Sequence, residues 1–189
     1  KPEYAKLLVA INPTTSTPGL AWMLATVGHF GADKFSDYWK TLVKGGAKIA
    51  SGWTEAYNTD FSAGEGKGAY PIVVSYASSP SYTVSKDGAS TTTAALLDTA
   101  FRQVEYAGVL KGAANPAGGQ AFINWMLSKN VQADIPKKMY MYPVDSSVQL
   151  PEALAKFGPL AEKPVEVTPA KIAAEREQWL KLWASAVGK

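Results

Sequence analysis

No cysteine occurs among the 189 residues, which excludes disulfides, zinc–thiolate sites and thiol nucleophiles. A single histidine, His29, is present, so any Ser-His-Asp or Cys-His arrangement would depend on that one side chain. It falls at the end of an apolar helical stretch, just before Gly31, where an imidazole ordinarily meets the negative end of the helix dipole. GxSxG elbows, GxGxxG turns and Walker-type glycine loops are all missing. No apolar run reaches the ~20 residues of a bilayer span. The opening Lys1-Pro2-Glu3-Tyr4 holds no apolar leader, so export would have to be directed from outside this chain. A charge excess of one sign is lacking too: 19 Lys and Arg stand against 16 Asp and Glu, dispersed, for a net +3. Without a basic run to track phosphates, nucleic acid is not an expected partner. No catalytic, metal or cofactor set is marked. These absences leave a binder and not an enzyme.

What is present is a globular balance, 47% hydrophobic against 19% charged, long enough for one well-buried domain or a lobe with an appendage. Residues 6–12 and 70–76 are short apolar runs and read as buried strands, with a brief strand at 48–50 and a further strand at 103–110. Helical patterns occupy residues 20–27 and 32–43, a short stretch at 55–61, and 115–129 with Phe122, Ile123 and Met126 inward. Residues 64–68 form a Gly-rich turn, 85–93 a loop, and 138–144 a strand or extended segment. The last helix has the clearest start, Thr168 as cap and Pro169 in first position. Its apolar stripe is Ile172, Trp179, Leu180, Trp183 and Val187. Strands alternating with helices predict an α/β lobe with a mixed sheet over residues 1–150, and a C-terminal helical segment over 151–189.

Two places could carry chemistry. At Thr15-Ser16-Thr17-Pro18-Gly19 a strand ends, hydroxyls cluster and a helix begins. Free backbone N–H groups and the dipole would hold a phosphate or carboxylate there, and plain helix capping by Ser16 or Thr17 accounts for the same residues. The second place is a spread of aromatics where strands open into loops: Trp53, Tyr76, Tyr82, Tyr140 and Tyr142, out of six Trp, nine Tyr and six Phe. Singly each suits a core. Brought together they would make a cage for a flat ring or an organic cation.

At these same residues the chain resembles the periplasmic thiamine-binding protein family of ABC importers. The matching pieces are NPTTSTPGL (12–20), SGWTEAY (51–57), VVSYASSPSY (73–82), MYPV (141–144) and TPAKIAAEREQWLKLWASAV (168–187). The resemblance implies a type II binding-protein fold, two lobes clamping ligand, with this chain as the second lobe and its C-terminal helices returning to the first. It implies Ser16 and Thr17 at the phosphate or hydroxyl tail of thiamine, and Trp53, Tyr76 and Tyr82 around the rings. Tyr140 stands where the family usually has Trp before MYP. A membrane permease would be the partner, and the place periplasmic, extracellular or lipid-anchored at the cell surface. Since the chain opens where the family's second lobe begins, it is expected to be a fragment. The stripe of its final helix would then be exposed or repacked, for instance in self-association with another copy. The stretch 62–69 is longer than the family's. Ferric-ion binding through Tyr76 and Tyr82 phenolates, polyamine binding on the same fold, and a carbohydrate module using the aromatics as sugar platforms are the rival readings.

Overall fold

The computed structural model describes residues 2–64 and 66–189. Lys1, and Glu65 within the Gly-rich turn, lie outside the described residues. A 3-10 turn, Pro2–Leu7, leads into β1 (Leu8–Ile11), all four residues of which are buried. Helices α1 (Thr17–Phe30) and α2 (Phe35–Lys44) follow, then β2 (Lys48–Ala50). A single turn, α3 (Trp53–Glu55), widens into a π-helical turn, Ala56–Asp60, before β3 (Ile72–Val73). The remainder is helical: α4 (Pro116–Met126), α5 (Lys129–Lys138), α6 (Glu152–Phe157) and α7 (Pro169–Val187).

The sheet runs in the order β2-β1-β3. Val9 pairs with Lys48 on one side and Val73 on the other, both in parallel register. The expected mixed sheet is therefore corrected to a parallel one. Helices connect each strand to the next, and a helical crossover returns the chain in the same direction. β1 is central, flanked on both edges and covered on both faces, which is why it reads as a continuous apolar run.

The core gathers β1, Met23 and Val27 of α1, Phe35 and Trp39 of α2, and Trp179 and Trp183 of α7. Trp39 meets Trp22 edge-on at 4.8 Å and Trp183 edge-on at 5.7 Å. Its buried indole N–H donates to Thr26 Oγ1 at 3.0 Å, so the polar atom is satisfied inside the core. The α7 stripe was expected to be exposed or repacked on another copy. Within this chain Trp179 and Trp183 are buried at 1% exposure, Trp183 meeting Trp39 of α2. Thr168 caps α7 as its sequence indicated, accepting from Lys171 N–H at 3.3 Å.

Two further expectations are corrected. Residues 103–110 form no strand; Phe101 bridges to Val165, and beyond it the chain is irregular and mostly exposed. β-branched and aromatic residues favour a strand only where an edge is offered to pair with, and this stretch meets none among the described residues. Phe122 was expected inward, yet α4 has no buried residue and Phe122 is 57% exposed. Its apolar side faces an open groove of about 500 Å³ shared with Val109, Leu110, Ile123 and Met126.

Candidate functional site

Ser16 and Thr17 lie beyond β1, Trp53 beyond β2 and Tyr76 beyond β3, where a parallel sheet opens into loops, while Tyr82 ends the next turn and Tyr140 and Tyr142 follow α5. At the end of β1, Asn12 Oδ1 accepts from Thr14 N–H at 2.8 Å and Thr14 Oγ1 at 2.7 Å, turning the chain into α1. The first turn of that helix lies directly on the strand. A Cβ on Gly19 would stand 2.7 Å from the Ile11 carbonyl oxygen and 2.8 Å from that of Asn12, so only glycine permits the approach. Ser16 occupies the N-cap position with extended backbone, but its hydroxyl makes no capping bond. The sequence left capping and ligand binding open for this hydroxyl; it is half-buried and uncommitted to the helix. Thr17 takes the first helical position and Pro18 the second, so the first-turn N–H groups of Thr17 and Gly19 have no acceptor within the helix.

Beyond β2, Gly52 starts a helical turn from which Trp53 projects, half-buried. Trp53 stacks on Tyr57, four residues on, at 4.8 Å and 11°. Its indole N–H donates to Ser75 Oγ at 2.9 Å, and Ser75 Oγ lies 2.7 Å from Ser79 Oγ. The ring is thus fixed in plane by the stack and in rotation by the hydrogen bond. Tyr76, one residue past Ser75, tilts against Trp53 at 6.1 Å. Burial raises the Tyr76 phenol pKa, and the Glu105 carboxylate adds to the rise.

A second pair stands beyond the next turn. Tyr82 closes the 3-10 turn Ser79–Tyr82 and meets Tyr140 edge-on at 4.0 Å. Its hydroxyl donates to the Pro136 carbonyl at 3.2 Å, and burial raises its pKa. Tyr140 is the one described non-glycine residue with positive φ, at 60°. Holding tyrosine in the left-handed region costs of order 1–3 kcal/mol, which the surrounding structure must offset. Tyr142 donates to the Gly158 carbonyl at 2.6 Å, and burial pushes its pKa up to about 12.

The predicted aromatics therefore come together as two pairs, Trp53 with Tyr76 and Tyr82 with Tyr140. Among the described residues no ring contact joins one pair to the other, but Ser79 links them through the turn that ends at Tyr82. Sequence reasoning missed Tyr57, Ser75 and Glu55. Tyr57 was detectable, since aromatics four apart in a helical stretch share a face; the two polar residues carried no local signal. His29 lies exposed at the end of α1, in edge contact with Phe30 at 4.6 Å and away from these pairs. Among the described residues no group of three or more His, Cys, Asp or Glu side chains could hold a metal ion.

Residues 1–160 match the family described as bacterial extracellular solute-binding protein. A thiamine-binding periplasmic protein of Escherichia coli (strain K12) is 34% identical over 179 residues, covering 94% of this chain and 52% of the relative. One from Brucella melitensis is 31% identical over 190 residues, covering 99% and 54%. A solved structure, a periplasmic thiamin binding protein, superimposes with a TM-score of 0.77 at 30% identity, over 96% of this chain and 55% of that one. The chain spans about half the length of the curated relatives it matches.

Proposed function

Because the chain belongs to the family of bacterial extracellular solute-binding proteins, we propose that it binds thiamine or a thiamine phosphate ester for delivery to a membrane permease of an ABC importer. The observation that carries this reading is Trp53: a half-buried indole at the loop end of the sheet, locked by Tyr57 and Ser75, with Tyr76 beside it. A core tryptophan would be covered on all sides, as Trp39 is. The cationic and flat rings of thiamine suit such a face through stacking and cation–π attraction. Tyr82 and Tyr140 would extend the aromatic wall. Ser16 and Thr17, at the dipole-positive start of α1, would take the hydroxyl or phosphate tail.

On this reading the protein acts in the periplasm or outside the cell, transforms nothing and needs no cofactor. Iron ligation by Tyr76 and Tyr82 has less support, since Tyr76 pairs with Trp53 and Tyr82 with Tyr140, and among the described residues no ring contact joins the two phenols. Calorimetric titration of thiamine and its phosphates into the full polypeptide carrying this chain tests the reading. Saturable binding is expected, weakened about tenfold by Trp53→Ala, the loss of one good cation–π contact of ~1–2 kcal/mol. No binding of any thiamine compound, or an affinity indifferent to Trp53, would remove it.

A further inference from the structure

The α1 turn and Trp53 follow different strands, yet one residue, Ser51, joins them. Thr15 Oγ1 donates to the Ser51 carbonyl at 2.6 Å. The N–H and hydroxyl of the same Ser51 donate to Glu55 Oε2 at 2.8 and 2.7 Å. The other carboxylate oxygen, Glu55 Oε1, lies 3.2 Å from Lys48 Nζ at the start of β2. Lys48 donates in turn to Asp60 Oδ1 at 2.7 Å, and the Asp60 side chain is only 10% exposed. Gly68 packs so closely on the Asp60 carbonyl that a Cβ there would collide with it.

Glu55 therefore spans the Ser51-Gly52 turn from which Trp53 emerges and anchors it to the sheet. A glutamate in the third position of a helical turn commonly reaches back to an N–H at its start, and here it reaches the Ser51 N–H, one residue before the cap Gly52. Capping requires neither the second bond from the Ser51 hydroxyl nor the ion pair with a strand lysine, and it does not explain the Thr15 link to the carbonyl of the same residue.

We propose that Glu55 is a positioning residue of the ligand site: its carboxylate holds Ser51 between Thr15 and Trp53, and so sets the indole relative to the Ser16–Thr17 turn. The inference rests on the binding reading above and adds to it the element that keeps the tail site and the ring site in register. Hydrogen bonds from Ser51 and Lys48 hold the Glu55 carboxyl down at about 2, so the brace is ionised at any pH the protein works at.

Solvent exchange of the tryptophan indole protons, followed by NMR on the full polypeptide without ligand, tests the brace directly. Trp53 Nε1–H donates to Ser75, and Trp39 Nε1–H, which donates to Thr26 in the core, is the internal control. Glu55→Ala is expected to speed exchange at Trp53 at least tenfold and leave Trp39 unchanged. Glu55→Gln, which keeps an acceptor for Ser51, should fall between and serves if the alanine variant fails to fold. Unchanged exchange at Trp53, or equal acceleration at Trp39, overturns the proposal whatever the ligand is. Thiamine affinity should drop about tenfold in Glu55→Ala, with no further loss when Trp53→Ala is added, because the effect runs through Trp53. A loosened indole with undiminished affinity would also overturn it. A parent protein that does not bind thiamine removes the functional reading instead, and the indole exchange still decides whether Glu55 holds Trp53.

Discussion

A tryptophan that follows a glycine at the end of a strand can be packed away or presented, and Trp53 shows how a fold does both. Its residue type and its place after β2 were readable in the sequence. The partners that immobilise it were not, because Ser75 lies 22 positions further along the chain and serine carries no pattern of its own. Glu55 is similar: a glutamate in a polar turn is ordinary until Ser51 and Lys48 are seen to converge on it. Its pH behaviour follows in sign from those bonds. The folded-state pKa, about 2, lies below the ordinary 4.5, so the bonds stabilise fully above 4.5 and that contribution is lost as pH falls toward 2. The group is 38% exposed, so solvent screens the effect and its size is small. In urea unfolding, the stability gap between the protein and Glu55→Gln should hold from neutral pH to about 5 and narrow steadily below it. A gap that does not change on acidification would contradict this assignment.

Among the elements, those with local start signals were recovered from sequence and those that depend on a neighbour were not. Thr168-Pro169 opens α7, and Asn115 caps α4 by accepting from Gly118 N–H at 2.9 Å, as such residues do wherever they stand. Helix α5 passed unread because its mean character is polar and Pro136, near its end, reads as a breaker. Periodicity located the apolar faces of α4 and α7 alike, yet one is open and the other covered. That difference gives a prediction. Trp183→Ala should destabilise by about 3–5 kcal/mol, since Trp183 is buried against Trp39. Trp125→Ala on α4, a residue 56% exposed, should stay within about 0.5 kcal/mol. Chemical denaturation of both variants decides it, and similar losses would mean that α7 is not docked as described.

Across the whole molecule, stability should be graded. β1 lies under α1, α2 and α7, whereas residues 102–110 are irregular, mostly exposed and outside the sheet ladder. Hydrogen exchange of the polypeptide is expected to be slowest at Val9 and Ala10 and in the facing turns of α2 and α7, and fast through 102–110. Slow exchange in that segment would contradict this grading. Legible in the order of residues were the α/β class, a buried first strand, the capped helix starts and the residue types offered at the loop ends. Those depend on neighbours within a few positions, through backbone preference and the period of burial. The parallel pairing of the sheet, the closure of the core by Trp183 of α7 and the meeting of Thr15, Ser51 and Glu55 beside Trp53 emerge with the folded chain. Each of these is a contact between distant segments, whose free energy exists only once the chain has brought them together.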